Sequence, residues 1–260
     1  MKFTANLSLL YPEYAFLERF AAAASDGFQA VEIQFPYDTP AADIRRELDK
    51  YQLECVLINV PAGDLMTGGA GLACVSGREQ AFEDALQRCL EYVRVLKPQC
   101  VNVLAGRAAP EEREAALQVL QSNLIKASRL LEPEGVQVTL EAINTFDMPD
   151  FLIASFRDMQ SAIANCPEKI AMQFDIYHMA RMGEPVAALL AESGAHIGHI
   201  QFADVPGRHE PGSGELDFQS LWAAAEMSGY QGWYGAEYRP EGESTSAGLG
   251  WFKTIQNRSN

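Results

Sequence analysis

Eight short runs rich in β-branched and aromatic residues alternate along the chain with longer amphipathic stretches. The runs cover residues 3–7, 30–33, 53–59, 100–104, 137–141, 170–175, 196–202 and 233–237. The stretches between them, such as REQAFEDALQRCLEYVRVLK, carry apolar residues at helical spacing and end before glycine or proline. This alternation is typical of a parallel sheet whose strands are joined by crossover helices.

Eight strand–helix units predict a single (β/α)₈ barrel, the TIM-barrel fold. Such a barrel typically takes roughly 250 residues, and this chain has 260. A doubly wound open sheet is the alternative, but its dinucleotide-binding form needs G-x-G-x-x-G directly after the first strand, where SLLYPEY stands. No linker or low-complexity tract interrupts the chain, so we expect one domain over residues 1–260, with a frayed end at NRSN.

Charge and cysteine usage limit the partners and the compartment. The net charge is −15 at pH 7, from 20 basic and 35 acidic residues. A field of that sign repels phosphate backbones and anionic lipids, so we expect neither nucleic acid nor a membrane as partner. The five cysteines form no C-x-x-C pair, and the amino-terminal apolar run is too short for a signal peptide. These features predict a cytoplasmic protein and leave homo-oligomer formation open.

Four consecutive runs, the fifth to the eighth, each end at or near an oxygen-bearing side chain: Glu141, Asp175, Gln201 and Glu237. In a (β/α)₈ barrel the carboxyl ends of all strands meet at one mouth, where active sites lie. Side chains alternate between the barrel interior and the helix layer, and the residue directly before each of these four is apolar. The four oxygens should therefore face the same axial pocket.

Three carboxylates in one pocket require a counter-charge. Neighbouring strands lie about 4.8 Å apart, so the acids would repel one another unless a cation joined them. Three carboxylates and an amide oxygen form a hard donor set that favours Mg²⁺ or Mn²⁺ over Zn²⁺. We therefore predict metal ligation by Glu141, Asp175, Gln201 and Glu237. The alternative is that these acids cap helices or lie in solvated loops.

Four more polar residues near the predicted mouth are expected to bind substrate: Asn6, Asn59, His178 and Arg208. The asparagines lie at or near the ends of the first and third runs, the histidine lies one helical turn past the sixth, and the arginine could clamp a carboxylate or phosphate. Ordinary packed or surface side chains are the alternative. His199, one layer beneath Gln201, is expected to orient it. The long connection 60–77 is predicted to act as a lid, or else to be a floppy loop.

Several motifs, in order over essentially the whole chain, carry a family resemblance. They include VEIQFPYD, NVPAGD, EAINTFDMPDF, FDIYHMARM, HIQFADVPGRHEPGSGELDF and GYQGWYGAEYRP. Together they resemble the hydroxypyruvate isomerase family of xylose isomerase-like barrels. The resemblance implies the metal ligands predicted above, with Glu141 and Glu237 as the acid/base pair. It also implies isomerisation of a small anionic hydroxy-oxo acid, hydroxypyruvate to tartronate semialdehyde, through an enediolate.

The sequence departs from the family motifs at two places, and two other classes of protein are alternatives. EAIN stands where the family has EPIN, and the RHEP loop looks like that of the related 2-oxo-tetronate isomerases, so substrate length is open. Related barrels include metal-dependent phosphodiesterases that act on damaged DNA, but those use several histidines and zinc ions, and this chain has four histidines and a charge of −15. A non-catalytic sugar-acid-binding barrel would bind ligand without exchanging its hydrogens.

Overall fold

Eight parallel strands close into a barrel in the computed structural model, which describes residues 1–259 and the side chains of residues 1–256. The strands are β1 (Lys2–Asn6), β2 (Ala30–Ile33), β3 (Glu54–Asn59), β4 (Cys100–Val103), β5 (Gln137–Glu141), β6 (Ala171–Asp175), β7 (Ile197–Phe202) and β8 (Trp233–Ala236). Each strand pairs with the next in chain order, and β8 pairs with β1. The predicted (β/α)₈ fold is confirmed, and each predicted run differs from its strand by at most one residue at either end.

Ten α-helices accompany the strands within residues 1–259. They are α1 (Arg19–Ser25), α2 (Ala41–Tyr51), α3 (Glu79–Leu96), α4 (Arg113–Leu131), α5 (Phe156–Ala164), α6 (Ile176–Arg181), α7 (Val186–Ser193), α8 (Phe218–Met227), α9 (Thr245–Gly248) and α10 (Gly250–Ser259). None of these described helices is long and apolar enough to cross a bilayer. A frayed end was predicted at residues 257–260. The side chains of these residues, and the whole of residue 260, lie outside the described part of the structure.

Local sequence accounts for where the helices begin and end. Helix α3 buries Phe82, Leu86 and Val93, which recur at helical spacing on one face. It stops at Lys97, which takes a left-handed φ of 52° and precedes a proline that cannot continue the helix. Such stops return the chain to the amino-terminal end of the barrel, so that every strand runs in the same direction.

Side-chain parity separates an apolar outer layer from an interior that is polar toward the mouth, as predicted for the last four strands. On the outside, Phe3, Phe202 and Tyr234 pack around Trp222 of α8, and the Phe202 and Trp222 rings meet edge to face at 5.0 Å. On the inside, the Thr139 hydroxyl donates to the Gln173 side-chain oxygen at 3.1 Å. The polar interior therefore lies directly beneath the barrel mouth.

The long connection after β3 is packed rather than open. Leu65 and Cys74 are buried, and Asp64 accepts hydrogen bonds from the Gly71 backbone and from Arg78. Met66 is 55% exposed and lines the cavity described below. The segment therefore forms part of the cavity wall; its action as a lid stays a prediction.

Candidate active site at the barrel mouth

A cavity of about 500 Å³ opens at the carboxyl ends of the strands. Five predicted site residues line it: Asn59, Glu141, His178, Arg208 and Glu237. Three more are buried at or near the ends of their strands: Asn6, Asp175 and Gln201. The structure thus places these eight residues at or near the barrel mouth, while their roles as metal ligands and substrate-binding groups stay predictions.

Asp175 has two functions, one for each carboxylate oxygen. Its Oδ1 accepts the backbone N–H groups of Tyr177 at 2.7 Å and His178 at 3.3 Å, which caps the start of α6. Its Oδ2 is buried and has no hydrogen-bond partner among the described side chains. Burial raises the pKa of Asp175, and the nearby Arg208 guanidinium opposes that shift. The helix-cap interpretation is therefore correct for one oxygen, while the other is available to a ligand.

Glu141, Asp175 and His178 form a cluster that could hold a metal ion. Their ligand atoms lie within 4.8 Å of one another. The His178 Nε2 is 3.6 Å from the free Asp175 Oδ2 and 3.8 Å from the Glu141 Oε1. An unpaired buried carboxylate oxygen next to a second carboxylate is an arrangement that a divalent cation satisfies. The residues therefore fit the predicted metal.

Contacts of the His178 ring favour a substrate-binding role over ligation. Its Nδ1 lies 2.6 Å from the Asn144 Nδ2 and 3.4 Å from the Asn144 backbone nitrogen, both of which are donors. The Asn144 Oδ1 accepts from two other backbone N–H groups, which fixes the amide in this orientation. Nδ1 is then the acceptor, so the proton lies on Nε2 and points toward the cavity. Burial, with the Arg208 charge, lowers the pKa of His178 well below its usual value, so the ring is neutral.

Glu141 is held from below by two amides. Its Oε2 accepts from the Asn102 Nδ2 at 2.9 Å and from the Gln173 Nε2 at 3.1 Å. Burial raises the pKa of Glu141 well above its usual value, and the carboxylates of Glu237 and Asp175 add to the shift. Without a cation, burial therefore favours the protonated form of Glu141 more than it would be favoured in an exposed glutamate.

Glu237 is held by four donors. Its Oε1 accepts from the Arg208 Nη2 at 2.7 Å and from the Gln34 Nε2 at 3.0 Å. Its Oε2 accepts from the Asn6 Nδ2 at 2.9 Å and from the Gln201 Nε2. Burial raises the pKa of Glu237 to about 8, although the Arg208 guanidinium acts to lower it. The group therefore ionises close to neutral pH.

Gln201 and His199 make contacts that the sequence did not indicate. The Gln201 side-chain oxygen accepts from the Gln173 Nε2 at 2.7 Å, so its amide would have to turn over before that oxygen could bind a metal. The His199 Nε2 lies 2.6 Å from the Glu32 Oε2, which makes Glu32 its partner instead of the expected Gln201. Ligation by Gln201 therefore stays a prediction.

Three buried polar residues of this network were missed: Glu32, Asn102 and Gln173. Glu32 carried a usable signal, since it is an acid within the apolar run AVEI and its parity points inward. Asn102 and Gln173 have the inward parity too, but neutral amides occur at so many positions that parity alone does not select them. Only the three-dimensional contacts show that they bind Glu141.

Comparison with known proteins agrees with this architecture. The family model described as a xylose isomerase-like TIM barrel matches residues 20–255. The chain is 44% identical to a 2-oxo-tetronate isomerase of Cupriavidus necator, with 99% of each chain covered. It is 40% identical to the hydroxypyruvate isomerase of Escherichia coli, with 96% of this chain and 98% of that protein covered.

The fold of this chain is also similar to that of a solved structure. A crystal structure from Brucella melitensis, named AP endonuclease, family 2, superposes with a TM-score of 0.93 at 38% identity and covers 97% of this chain and 98% of that chain. Fold and site thus place the molecule among the xylose isomerase-like barrels. Within them, the chain belongs to the hydroxypyruvate isomerase family, as the motifs predicted.

Proposed function

We propose that the protein isomerises a small anionic hydroxy-oxo acid, hydroxypyruvate to tartronate semialdehyde, by moving one proton between neighbouring carbons and a second between their oxygens. The observation that carries the proposal is the pair of buried glutamates, Glu141 and Glu237, in the wall of one cavity. Both have raised pKa values, that of Glu237 about 8. A carboxylate that ionises near neutral pH can take a proton from carbon and return one at the adjacent carbon.

Other side chains would bind and orient the acid. The neutral His178 presents its Nε2–H to the cavity, where it can donate to a substrate oxygen. Arg208 lines the same cavity, and its guanidinium can pair with the substrate carboxylate. Asn59 lines the wall, with its buried Oδ1 free of any partner among the described residues. These groups together recognise a molecule that carries both a carboxylate and hydroxyl or carbonyl oxygens.

A divalent cation completes the proposed site. Glu141 and Asp175 would hold it, with Glu237 as a third donor, and Mg²⁺ or Mn²⁺ suits a set of carboxylates. When bound, the ion stabilises negative charge that develops on the substrate oxygens. It also removes the repulsion between the buried acids.

The length of the substrate is tested by comparing a three-carbon acid with a four-carbon acid. The relative from Cupriavidus necator is a 2-oxo-tetronate isomerase, which makes a four-carbon 2-oxo acid the second candidate substrate. Purified protein with Mg²⁺ or Mn²⁺ is incubated separately with hydroxypyruvate and with 2-oxo-tetronate in deuterated water. NMR then measures how much solvent deuterium each acid takes up. Turnover of either acid supports the proposal. Binding of an acid without any deuterium exchange would instead identify a non-catalytic sugar-acid-binding barrel.

Substitutions test the acid/base pair. Glu141→Gln and Glu237→Gln should each reduce kcat by roughly 100-fold or more, because each removes a group that transfers the proton. Glu83→Gln is the matched control, since Glu83 is a half-exposed acid on α3 that pairs with Lys126 at 2.5 Å. Full activity in both site variants would contradict the assignment.

DNA cleavage is not proposed for this chain, although the Brucella melitensis structure is named as an endonuclease. The net charge of −15 opposes binding to a phosphate backbone. Absence of an electrophoretic shift with abasic DNA at physiological salt is the expected result. A cytoplasmic location remains a prediction as well.

A further inference from the structure

Two primary amides lie between Glu237 and a second buried acid, Glu32. The Asn6 Nδ2 is 2.9 Å from the Glu32 Oε1 and 2.9 Å from the Glu237 Oε2. The Gln201 Nε2 contacts the same two oxygens, at 2.8 Å from that of Glu32. A primary amide nitrogen carries two hydrogens, so each amide donates one to each carboxylate. The two acids therefore share the same pair of donors.

Glu32 itself is firmly placed. Its side chain is fully buried, and its Oε2 lies 2.6 Å from the His199 Nε2. The His199 Nδ1 is buried without a partner among the described atoms, so a proton on Nε2 leaves only an unpaired acceptor and not an unpaired donor. A carboxylate at position 32 then accepts three hydrogen bonds, one from histidine and two from the amides.

Strand β8, which is separated from β2 by β1, leaves space for this carboxylate. Position 235 of β8 points inward and is a glycine. A Cβ atom there would lie 2.4 Å from the Glu32 Oε2, well inside van der Waals contact. The barrel interior is thus built around Glu32, which makes an incidental buried acid a poor explanation of its position.

We propose that Glu32 is a positioning residue for Glu237. By accepting one hydrogen from each amide, Glu32 holds the Asn6 and Gln201 nitrogens where their second hydrogens meet the Glu237 Oε2. Loss of that acceptor lets both amides rotate, and the Glu237 carboxylate loses its fixed orientation toward the substrate. Glu32 lies beneath the cavity and does not line it, so it acts only through the amides. The functional part of this inference rests on the proposed isomerase activity.

Two substitutions of similar length separate the acceptor from the rest of the side chain. Glu32→Met removes both oxygens, whereas Glu32→Gln keeps one oxygen for the amides and offers an N–H to His199, which can shift its proton to Nδ1. E32M should lower kcat about 100-fold with KM within about threefold, because misorientation at the reacting centre has costs of that size. E32Q should keep kcat within about fivefold of the unsubstituted protein.

A destabilised control separates positioning from a merely structural effect. Leu120→Ala opens a cavity next to α4, where Leu120 is fully buried and outside the network, and should lower the Tm by roughly 4–20 °C. If L120A, measured as folded protein, loses kcat as E32M does, or if E32M keeps full kcat, the inference is overturned. A fall in kcat confined to E32M supports it.

Side-chain amide NMR provides a readout that needs no activity. The Asn6 and Gln201 NH₂ signals, identified by their loss in Asn6→Ser and Gln201→Met, should exchange slowly with water in the unsubstituted protein and in E32Q. They should exchange rapidly in E32M. If E32M does not fold, the result for E32Q is used by itself. Amides that stay protected together with a retained kcat support the inference. Amides that stay protected while kcat falls as far as in Glu237→Gln overturn it. Failure of the isomerase proposal would appear separately, as protected amides in an unsubstituted protein that turns over neither acid.

Discussion

Arg208 is the only cation in contact with the buried acids of the site within the described side chains, so its removal exposes their charge. Its Nη2 lies 2.7 Å from the Glu237 Oε1 and 3.9 Å from the Asp175 Oδ2. Replacement of one partner of a buried ion pair costs about 3–5 kcal/mol. Because the Arg208 side chain remains 20% exposed, we take the lower end, about 3 kcal/mol, for Arg208→Met when Glu237 stays fully ionised.

The sign of the pH dependence follows from the raised carboxylate pKa. In the folded, metal-free protein Glu237 ionises near pH 8 instead of at its usual 4.5. A raised pKa means that the folded state holds the proton more tightly, so this contribution to stability is complete below pH 4.5 and is lost as the pH rises to 8. Arg208 limits the loss by attracting the ionised form. Without Arg208 the Glu237 carboxyl can stay protonated instead, which at pH 9, one unit above its pKa of about 8, costs about 1.4 kcal/mol. R208M should therefore be nearly neutral at pH 6 and lose about 1.4 kcal/mol of stability at pH 9.

Thermal unfolding in EDTA at both pH values measures this difference. For a chain of this size 1 kcal/mol corresponds to roughly 2–4 °C, so about 1.4 kcal/mol lowers the Tm by roughly 3–6 °C at pH 9. Arg129→Met is the matched control, because Arg129 is 69% exposed and its pairing with Glu168 should contribute under about 1 kcal/mol at either pH. An equal loss of Tm at pH 6 and pH 9 would show that Arg208 acts by packing on the Tyr177 ring, 5.0 Å away, and not by charge.

Three further predictions concern single side chains of the site. Asp175→Asn keeps the oxygen that caps α6 but replaces the free Oδ2, so Mn²⁺ affinity measured by calorimetry should fall at least about tenfold while the helical circular dichroism is unchanged. His178→Gln should raise KM and leave Mn²⁺ affinity within about threefold, because a protonated Nε2 does not ligate; a large loss of affinity would make His178 a ligand. Gly235→Ala should displace Glu32 and lower kcat without removing any polar group, and unchanged kinetics would show that the barrel absorbs the added methyl.

Strand parity was the sequence feature that predicted the positions of most site residues. Alternation of apolar and polar residues is a local property of a strand, and barrel closure turns it into a common inward direction for every strand. For this reason the sequence alone assigns Glu141 and Glu237 to one cavity. Parity does not fix the orientation of an amide, because the contacts of Gln201 depend on which neighbours surround it.

His178 shows where sequence reasoning stops for a different reason. Its position one turn beyond Asp175 follows from helical geometry, and the structure places it in the cavity wall as expected. The tautomer of its ring depends on Asn144, which lies in the loop after β5, far from His178 in sequence. A contact between two such loops is invisible to periodicity, yet it decides whether Nε2 presents a proton or a lone pair.

The balance of charge inside the barrel links these findings. Glu32 is matched by hydrogen-bond donors from three sides, so the protein satisfies it without any ligand. Glu141 and Asp175 are not matched in this way, since one Asp175 oxygen is unpaired and Arg208 reaches mainly to Glu237. Burial of an uncompensated acid is costly, and the pKa values of both are raised by that burial. Glu32 is therefore a fixed part of the scaffold. The charges of Glu141 and Asp175 are not compensated by the protein, and a bound cation would compensate them.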